Sequence, residues 1–575
     1  MATLTIEVND HRIQADPGET ILSACRRAGI QIPTLCHLED LPASGACRMC
    51  VVEVEGMPNL VPSCAYPVAD AMKIQTHSRR AIRARKTIVE LLLANHPDDC
   101  LYCTRNGTCQ LQKFAQDLRV RERHYEGGMT ELPLDVSSPS IVRDPKKCIL
   151  CGRCVRVCEE IQGVAAIDFT GRGSRTKIST AFDEGLNLSS CINCGQCVMV
   201  CPTGALRVQR HIKRVTEALA DPRKHVVVQH APSISVTIGE QFGIPHGVDV
   251  SGKLTAALRR IGFAKVFDTA FSADLTIMEE ASEFVQRIRT GGILPMMTSC
   301  SPGWIKFVEQ LYPDMMGNLS TCKSPQQMMG ALIKDFYAKR QGIPPEDIYS
   351  VSIMPCVAKK FEAERPEMAR NGSPDIDAVL VTRELVHLIR SRGLDLEEMP
   401  SEAADNPFGE RATAGKIFGA TGGVMEAAIR TAHFLLTNTE LENLEVKAVR
   451  GMEAVKEAHL DINGMTVGVA VANGIGPARI LVEQIRRGRD DLHFIEVMTC
   501  PGGCIAGGGQ PIGSSPEDIR ERAQALYRLD ACEAVRQSHH NPSVQRIYDE
   551  YLGEPLGERS HHLLHTHYEE RHVLI

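Results

Sequence analysis

The sequence is poor in aromatics (5%), has one tryptophan, and has no apolar run near the roughly eighteen residues that a membrane-spanning helix needs. TVGVAVANGIG, after Met465, is short and broken by glycine. Charge of one sign is also missing. Lys plus Arg number 64 against 71 Asp plus Glu, a net charge of −7. No global basic field argues for nucleic acid or an anionic membrane as partner. The start, MATLTIEVNDHRIQAD, has no basic stretch leading into an apolar core and no twin-arginine signal, so a cytoplasmic location is expected. Apolar content of 43% and charged content of 23% exclude wholesale disorder and collagen-like repeats. A length of 575 residues suggests roughly four domains.

Cysteine is abundant instead, with 22 residues, sixteen of them within the first 201. In a reducing compartment that number points to metal ligation rather than disulfides. Residues 3–9 and 11–15 read as a hairpin, ILSACRRAGI as a helix with a buried Cys25, and VVEVEG as a strand, compatible with a small ferredoxin-like β-grasp domain. Residues 78–95 make an amphipathic helix, and residues 126–145, rich in Gly, Pro and Ser, look like a linker. From about 224 onward strand-like runs (HVVVQHAPSISV, DIYSVSIMPC, HFIEVMTC) alternate with helical stretches, the pattern of an α/β domain with ligands in the loops after its strands. The tail 516–575 reads as helical and polar. The expected fold class is an α/β catalytic domain with N-terminal α+β ferredoxin-like iron–sulfur domains.

Four cysteine groups occupy the N-terminal third. Cys36, Cys47, Cys50 and Cys64, separated by ten, two and thirteen residues, can enclose a [2Fe–2S] cluster, with a structural zinc site as the alternative. His96-x3-Cys100-x2-Cys103-x5-Cys109 offers three thiols and one imidazole for a [4Fe–4S] cubane. A lone histidine is usually a surface or core residue; the position of His96 just before three cysteines argues for ligation. Cys148, Cys151, Cys154 and Cys158 share their spacing with Cys191, Cys194, Cys197 and Cys201, 43 residues later. In this bacterial two-cluster pattern the last cysteine of each run serves the other cluster, so Cys201 joins the first trio and Cys158 the second. These groups predict one [2Fe–2S] and three accessory [4Fe–4S] clusters, which carry single electrons towards something in the C-terminal half. The corresponding domains are 1–78 ([2Fe–2S]), 79–125 (His/Cys3), 139–210 (two-cluster), 211–515 (catalytic) and 516–575 (helical).

Three segments stand out there: MMTSCSPGWIKF, SIMPCVAKKFEAERPE and EVMTCPGGCIAGGGQP. With the N-terminal cysteine order, they resemble the iron-only (FeFe) hydrogenases over nearly the whole chain, most closely the multi-cluster, NAD(P)-linked catalytic subunits. The resemblance implies an H-cluster, a [4Fe–4S] cubane bridged by a cysteine sulfur to a diiron unit with CO, cyanide and a dithiolate amine. It would catalyse H2 oxidation and proton reduction. Carried over, Cys356, Cys500 and Cys504 ligate the cubane, Cys504 bridges, and Lys359 binds a cyanide. Ala231, Pro232, Ser233, Ser324, Pro325, Gln326, Met354, Phe418, Gly419 and Met498 wall the pocket. Gly502, Gly503 and Gly507 to Gly509 are expected to let the backbone approach a bulky cofactor. For each residue alone, core packing is the ordinary reading; their joint placement carries the assignment.

One departure matters. The family pattern is TSCCPxW, and here the second cysteine is Ser301. By position Cys300 falls at the proton relay and Ser301 at the cubane ligand. Three outcomes stay open: an alkoxide ligand from Ser301, Cys300 as ligand, or a cubane on three cysteines. The resemblance favours Cys300 as the relay, with Glu280, Glu283, Arg287 and Ser320 completing the proton route. Glu280, Glu283 and Arg287 share one helix face by spacing. The alternatives are an H2 or redox sensor or a non-catalytic electron-transfer subunit impaired at Ser301. No GxGxxG follows a strand, so a nicotinamide or flavin site would lie on another chain: ferredoxin and/or a flavin-containing NAD(P)H-oxidising subunit, in a hetero-oligomer. His561, His562, His565 and His567 read as an exposed helix or tail, and Cys322 and Cys532 as packing residues.

Overall fold

A computed structural model describes residues 3–39 and 41–574; Met1, Ala2 and Ile575, at the ends of the first and last expected domains, and Asp40 lie outside the described residues. The N-terminal hairpin forms as β1 (Leu4–Val8) and β2 (His11–Ala15), turning at Asn9 and Asp10, both at positive φ. Thr20 caps α1 (Ile21–Arg27) by accepting the Ser23 N–H, which turns Ile21, Leu22, Ala24 and Cys25 inward. Strands β3 (Val51–Val54), β4 (Val61–Pro62) and β5 (Lys73–Gln75) complete a sheet of order β2-β1-β5-β3-β4. Ser78 caps α2 (Arg79–Ala94), whose Val89 packs with Leu35, Met49 and Leu111 in a small core joining the first two cysteine groups.

The stretch expected as a linker, 126–145, is folded from Asp135 onward. Asp135 pairs with Arg143, Ser138 donates to Asn193 at 2.9 Å, and β6 (Ile141–Arg143) lies antiparallel to β7 (Leu206–Val208). Proline and serine mark turns here, and the buried Ile141 and Val142 pull the segment into the core.

The C-terminal half holds two sheets. The first is wholly parallel, in order β9 (Lys265–Asp268), β8 (His225–His230), β11 (Ile348–Met354), β12 (Ala378–Val381). The second runs β10 (Met296–Met297), β15 (Phe494–Met498), β14 (Met465–Asn473), β13 (Val455–Ile462), with only β13 antiparallel. The run HVVVQHAPSISV is a strand only as far as His230; Pro232 donates no ladder bond and opens a short helix, Pro232–Ser235. Helix α3 (Thr269–Thr290) is buried along most of its length, packed against α4 (Pro325–Leu332) and α5 (Gly423–Thr437).

The tail is helical at α6 (Pro516–Cys532), Pro542–Ile547 and α7 (Glu558–Leu564), but it is more than a polar cover. Leu526, Val544, Ile547, Leu563 and Leu564 are buried, as are Arg522 and Asp530, whereas Cys532 is exposed. Among the described residues no helix is long and apolar enough to cross a membrane.

Candidate active site and cluster-binding groups

The loops that leave β8, β11 and β15 at their carboxyl ends converge on one cavity, where ligand sites of open α/β sheets belong. It encloses about 780 Å³ of space not filled by atoms, part of it open to solvent. Of the expected wall, Ala231, Pro232, Ser233, Pro325, Gln326, Met354, Lys359, Phe418, Gly419 and Met498 line it, together with Cys300, Ser301, Cys356, Cys500 and Cys504. Ser324 does not: its hydroxyl turns away to donate to Glu362 at 2.9 Å.

Lys359 is held by Glu362, with contacts of 3.1 and 3.0 Å to its two oxygens, and donates to the Cys300 carbonyl at 3.0 Å. Glu362 also accepts from Gln326 at 2.9 Å. Sequence reasoning passed over Glu362, although its place three residues after Lys359 on a helix is a readable signal. Thr499 was also missed; its hydroxyl lies 2.6 Å from Ser301 Oγ, which fixes the serine at the head of the helix Pro302–Leu311.

The donor set suits an iron–sulfur group. Burial pushes the Cys500 and Cys504 thiols up to about 12 and also raises Cys356, so these groups ionise only against a metal cation. The Ser233 hydroxyl on the wall is buried without a hydrogen-bond partner. Gly503 and Gly507 line the cavity, and the glycine run is also packed tightly on backbone. A Cβ on Gly503 would stand 2.7 Å from Thr421 N, one on Gly507 2.5 Å from the Pro355 carbonyl, and one on Gly508 would strike the Cys194 carbonyl. Close packing of backbone on backbone therefore requires them.

On α3, Glu280 and Glu283 are both buried. Arg287 bonds Glu283 Oε1 through Nη2 at 2.6 Å and Nε at 3.2 Å, and Ser320 donates to Glu283 Oε2 at 2.8 Å. The Glu280 carboxyl oxygens have no hydrogen-bond partner. Burial, reinforced by the Glu283 charge, pushes Glu280 up to about 8. A row of carboxyls thus leads inward from Arg287 towards Cys300, whose thiol burial also raises.

The other cysteines gather in groups. The Cys50 and Cys64 sulfurs are 3.3 Å apart, and the Cys47 N–H points at Cys36 Sγ at 3.5 Å. His96 is buried with Nδ1 unpartnered, and Cys103 Sγ lies 2.8 Å from where a Gly204 Cβ would be. Cys148, Cys151, Cys154 and Cys201 line one small cavity; Cys158, Cys191, Cys194 and Cys197 line another. Cys194 sits against Gly508, and Gln196 donates to the Ala506 carbonyl at 3.4 Å, so the second cavity abuts the Cys500–Cys504 loop. One expectation fails in the tail: His565 is buried rather than exposed, whereas His561, His562 and His567 are exposed. Cys322, beside His565, is packed in the core and lies 3.8 Å from Glu283 Oε2.

Comparison with known proteins places each region. Residues 224–508 match the family described as the iron only hydrogenase large subunit, C-terminal domain, and residues 516–571 the iron hydrogenase small subunit. Residues 1–79 match a 2Fe-2S iron-sulfur cluster binding domain, 85–124 an iron-sulfur binding region of NADH-ubiquinone oxidoreductase-G, and 147–205 a 4Fe-4S dicluster domain. The NADP-reducing hydrogenase subunit HndD of Solidesulfovibrio fructosivorans is 47% identical over the whole of both chains. Iron hydrogenase 1 of Clostridium pasteurianum is 41% identical over 98% of this chain and all of its own. The solved apo [FeFe]-hydrogenase HydA1 of Chlamydomonas reinhardtii superposes with a TM-score of 0.58 at 40% identity, covering 64% of this chain and all of that one.

Proposed function

Because the chain belongs to the iron-only hydrogenases, we propose that it oxidises H2 and reduces protons reversibly at an H-cluster in the cavity beside Lys359. Its electrons pass through the N-terminal clusters to ferredoxin and/or a flavin-containing NAD(P)H-oxidising subunit, in a cytoplasmic hetero-oligomer. The observation that carries this reading is the convergence of Cys356, Cys500, Cys504 and Lys359 on one cavity at the end of a buried carboxyl row. When bound, the H-cluster supplies the heterolytic cleavage of H2 and takes up its electrons.

The chain's own residues do the rest. Cys356, Cys500 and Cys504 would hold the cubane, and the Glu362-anchored ammonium of Lys359 offers a fixed donor to an anionic ligand. Phe418, Met354 and Met498 exclude water. Cys300 passes protons to Glu280, then to Ser320, Glu283 and Arg287, which is half-buried and reaches solvent. Glu280, neutral below about pH 8, can give or take a proton near neutrality. Ser301, held by Thr499, lines the same cavity and would offer its hydroxyl as a fourth donor to the cubane, with Cys300 as the other candidate. Electrons would leave where Gly508 meets Cys194 and pass on to the cluster held by the Cys148 group. The domain limits at 78, 125, 139, 210 and 515 belong to this proposal.

The test is expression with the hydrogenase maturation machinery, then H2 uptake with a viologen beside infrared bands for bound CO and cyanide. Bands with turnover are expected. Bands without turnover favour an H2 or redox sensor, the reading that Ser301 supports; neither leaves an electron carrier. Cys300→Ala should keep the cubane's iron and lose turnover by about 10²- to 10⁴-fold, the range of a lost acid–base group. Iron loss instead would make Cys300 the ligand.

A further inference from the structure

The C-terminal segment delivers a histidine to the carboxyl row that the proton route leaves unused. Thr566 N–H donates to the Thr321 carbonyl at 2.8 Å and Lys323 N–H to the Leu564 carbonyl at 2.7 Å, so the segment pairs with residues 321–323. This pairing buries His565 against α3. Its Nε2 lies 3.1 Å from Glu279 Oε2 and its Nδ1 2.8 Å from Thr321 Oγ1; that hydroxyl lies 3.4 Å from Glu283 Oε2.

The proton positions follow from the partners. Glu279 is fully buried and accepts from Tyr548 OH at 2.5 Å and from Leu556 N–H at 2.8 Å. With Tyr548 and Leu556 already donating to it, Glu279 accepts a further hydrogen from His565 Nε2. A neutral His565 therefore presents a bare Nδ1, to which the Thr321 hydroxyl donates. A protonated ring donates from Nδ1 instead, and the single hydroxyl hydrogen of Thr321 turns to Glu283. The charge state of the ring sets the direction of that hydroxyl.

We propose that His565 is a proton-holding side branch of the route through Glu283, filled and emptied through the Thr321 hydroxyl. On filling, protonated Glu283 gives its proton to Thr321 Oγ1 while the Thr321 hydroxyl proton passes to His565 Nδ1. The products are a Glu283 carboxylate and an imidazolium paired with Glu279; emptying is the reverse, and no electron moves. The groups facing the ring are Glu279 and, through Thr321, Glu283 on α3, the Cys322 thiol, the Tyr548 phenol, Arg287 beyond Glu283, and His561, stacked on it at 4.5 Å. The branch rests on the proton route assigned above.

The test compares matured wild-type holoenzyme with His565→Gln, whose amide can still donate to Glu279 and accept from Thr321 but cannot hold a proton. H2 uptake and H2 evolution are measured across pH, with the solvent isotope effect. Expected is a several-fold loss of uptake on the alkaline limb, where the neutral ring accepts protons, with convergence on the acid limb and a changed isotope effect. A variant matching wild type throughout overturns the branch. Thr321→Val cuts the same link while leaving the Glu279 pair, and Thr321→Ser restores it. The first should reproduce the His565→Gln profile and the second the wild type; a wild-type profile for Thr321→Val is equally fatal. Glu283→Gln separates the two readings. Full turnover there sinks the route itself, whereas a dead Glu283→Gln beside normal His565 and Thr321 variants sinks only the branch.

Discussion

Glu280 shows how one side chain couples stability to the proton route. It lies on α3 without a hydrogen-bond partner, and burial, then the neighbouring Glu283, push it up to about 8. An unfolded glutamate titrates near about 4.3, so between that value and about 8 the folded chain binds the extra proton. Stability drawn from this group is therefore full at acid pH and falls as pH rises through the window. Glu280→Gln removes the titration, so its apparent Tm should drop less than that of the wild type between pH 6 and pH 9. A like pH dependence in both proteins would count against the buried acid. Turnover in the same variant should fall by about 10²- to 10⁴-fold, since the amide carries no exchangeable acid proton. The helix spacing of Glu280, Glu283 and Arg287 was legible in the chain. That Ser320 and Thr321 would also bond Glu283 was not, because they come from a separate segment of the chain.

Whole elements were most readable where chemistry imposes spacing. The hairpin, α1 and α2, and the repeated cysteine runs appear as expected because alternation, capping and ligand spacing are local properties. The segment 126–145 and the tail misled because composition reports turns and polarity, not docking. Asp274 shows what docking depends on. Its carboxylate accepts the Ala412 N–H at 2.6 Å, the Gly415 N–H at 3.1 Å, Ser538 at 2.8 Å and Asn541 at 2.9 Å. It thus ties α3 to the loop before α5 and to the C-terminal segment. Asp274→Asn sets an amide donor against donors, and each unsatisfied buried partner costs about 1–3 kcal/mol. The expected result is a lower Tm with faster proteolysis around residues 538–541, read by limited digestion; an unchanged digestion pattern would show that the segment is held elsewhere.

At the scale of the whole molecule the cores are not divided as the cysteine groups are. Ile6, Leu22 and Ile74 form a core of their own, and Val89 and Leu111 share a second with Leu35 and Met49. Ile141, Ile192 and Leu206 instead share one continuous core with Trp304, Phe307 and Val497 from the catalytic half. Lys306 reinforces the seam by donating to the Cys191 carbonyl at 2.6 Å. The two-cluster unit is thus bonded to the catalytic sheet, whereas the first two units rest mainly on each other. Burial of apolar surface contributes about 25 cal/mol per Å², so exposing such a seam is costly. A chain lacking residues 1–125 should therefore stay monodisperse and reduce viologen with H2, while losing electron exchange with a protein partner that docks on the removed clusters. A chain lacking residues 1–210 should expose the face around Ile305 and Trp304 and aggregate, visible by size-exclusion chromatography. If the shorter chain is as soluble and as heat-stable as the longer one, the shared core is not what joins wire to active site, and the Gly508–Cys194 contact must be held by local bonds alone.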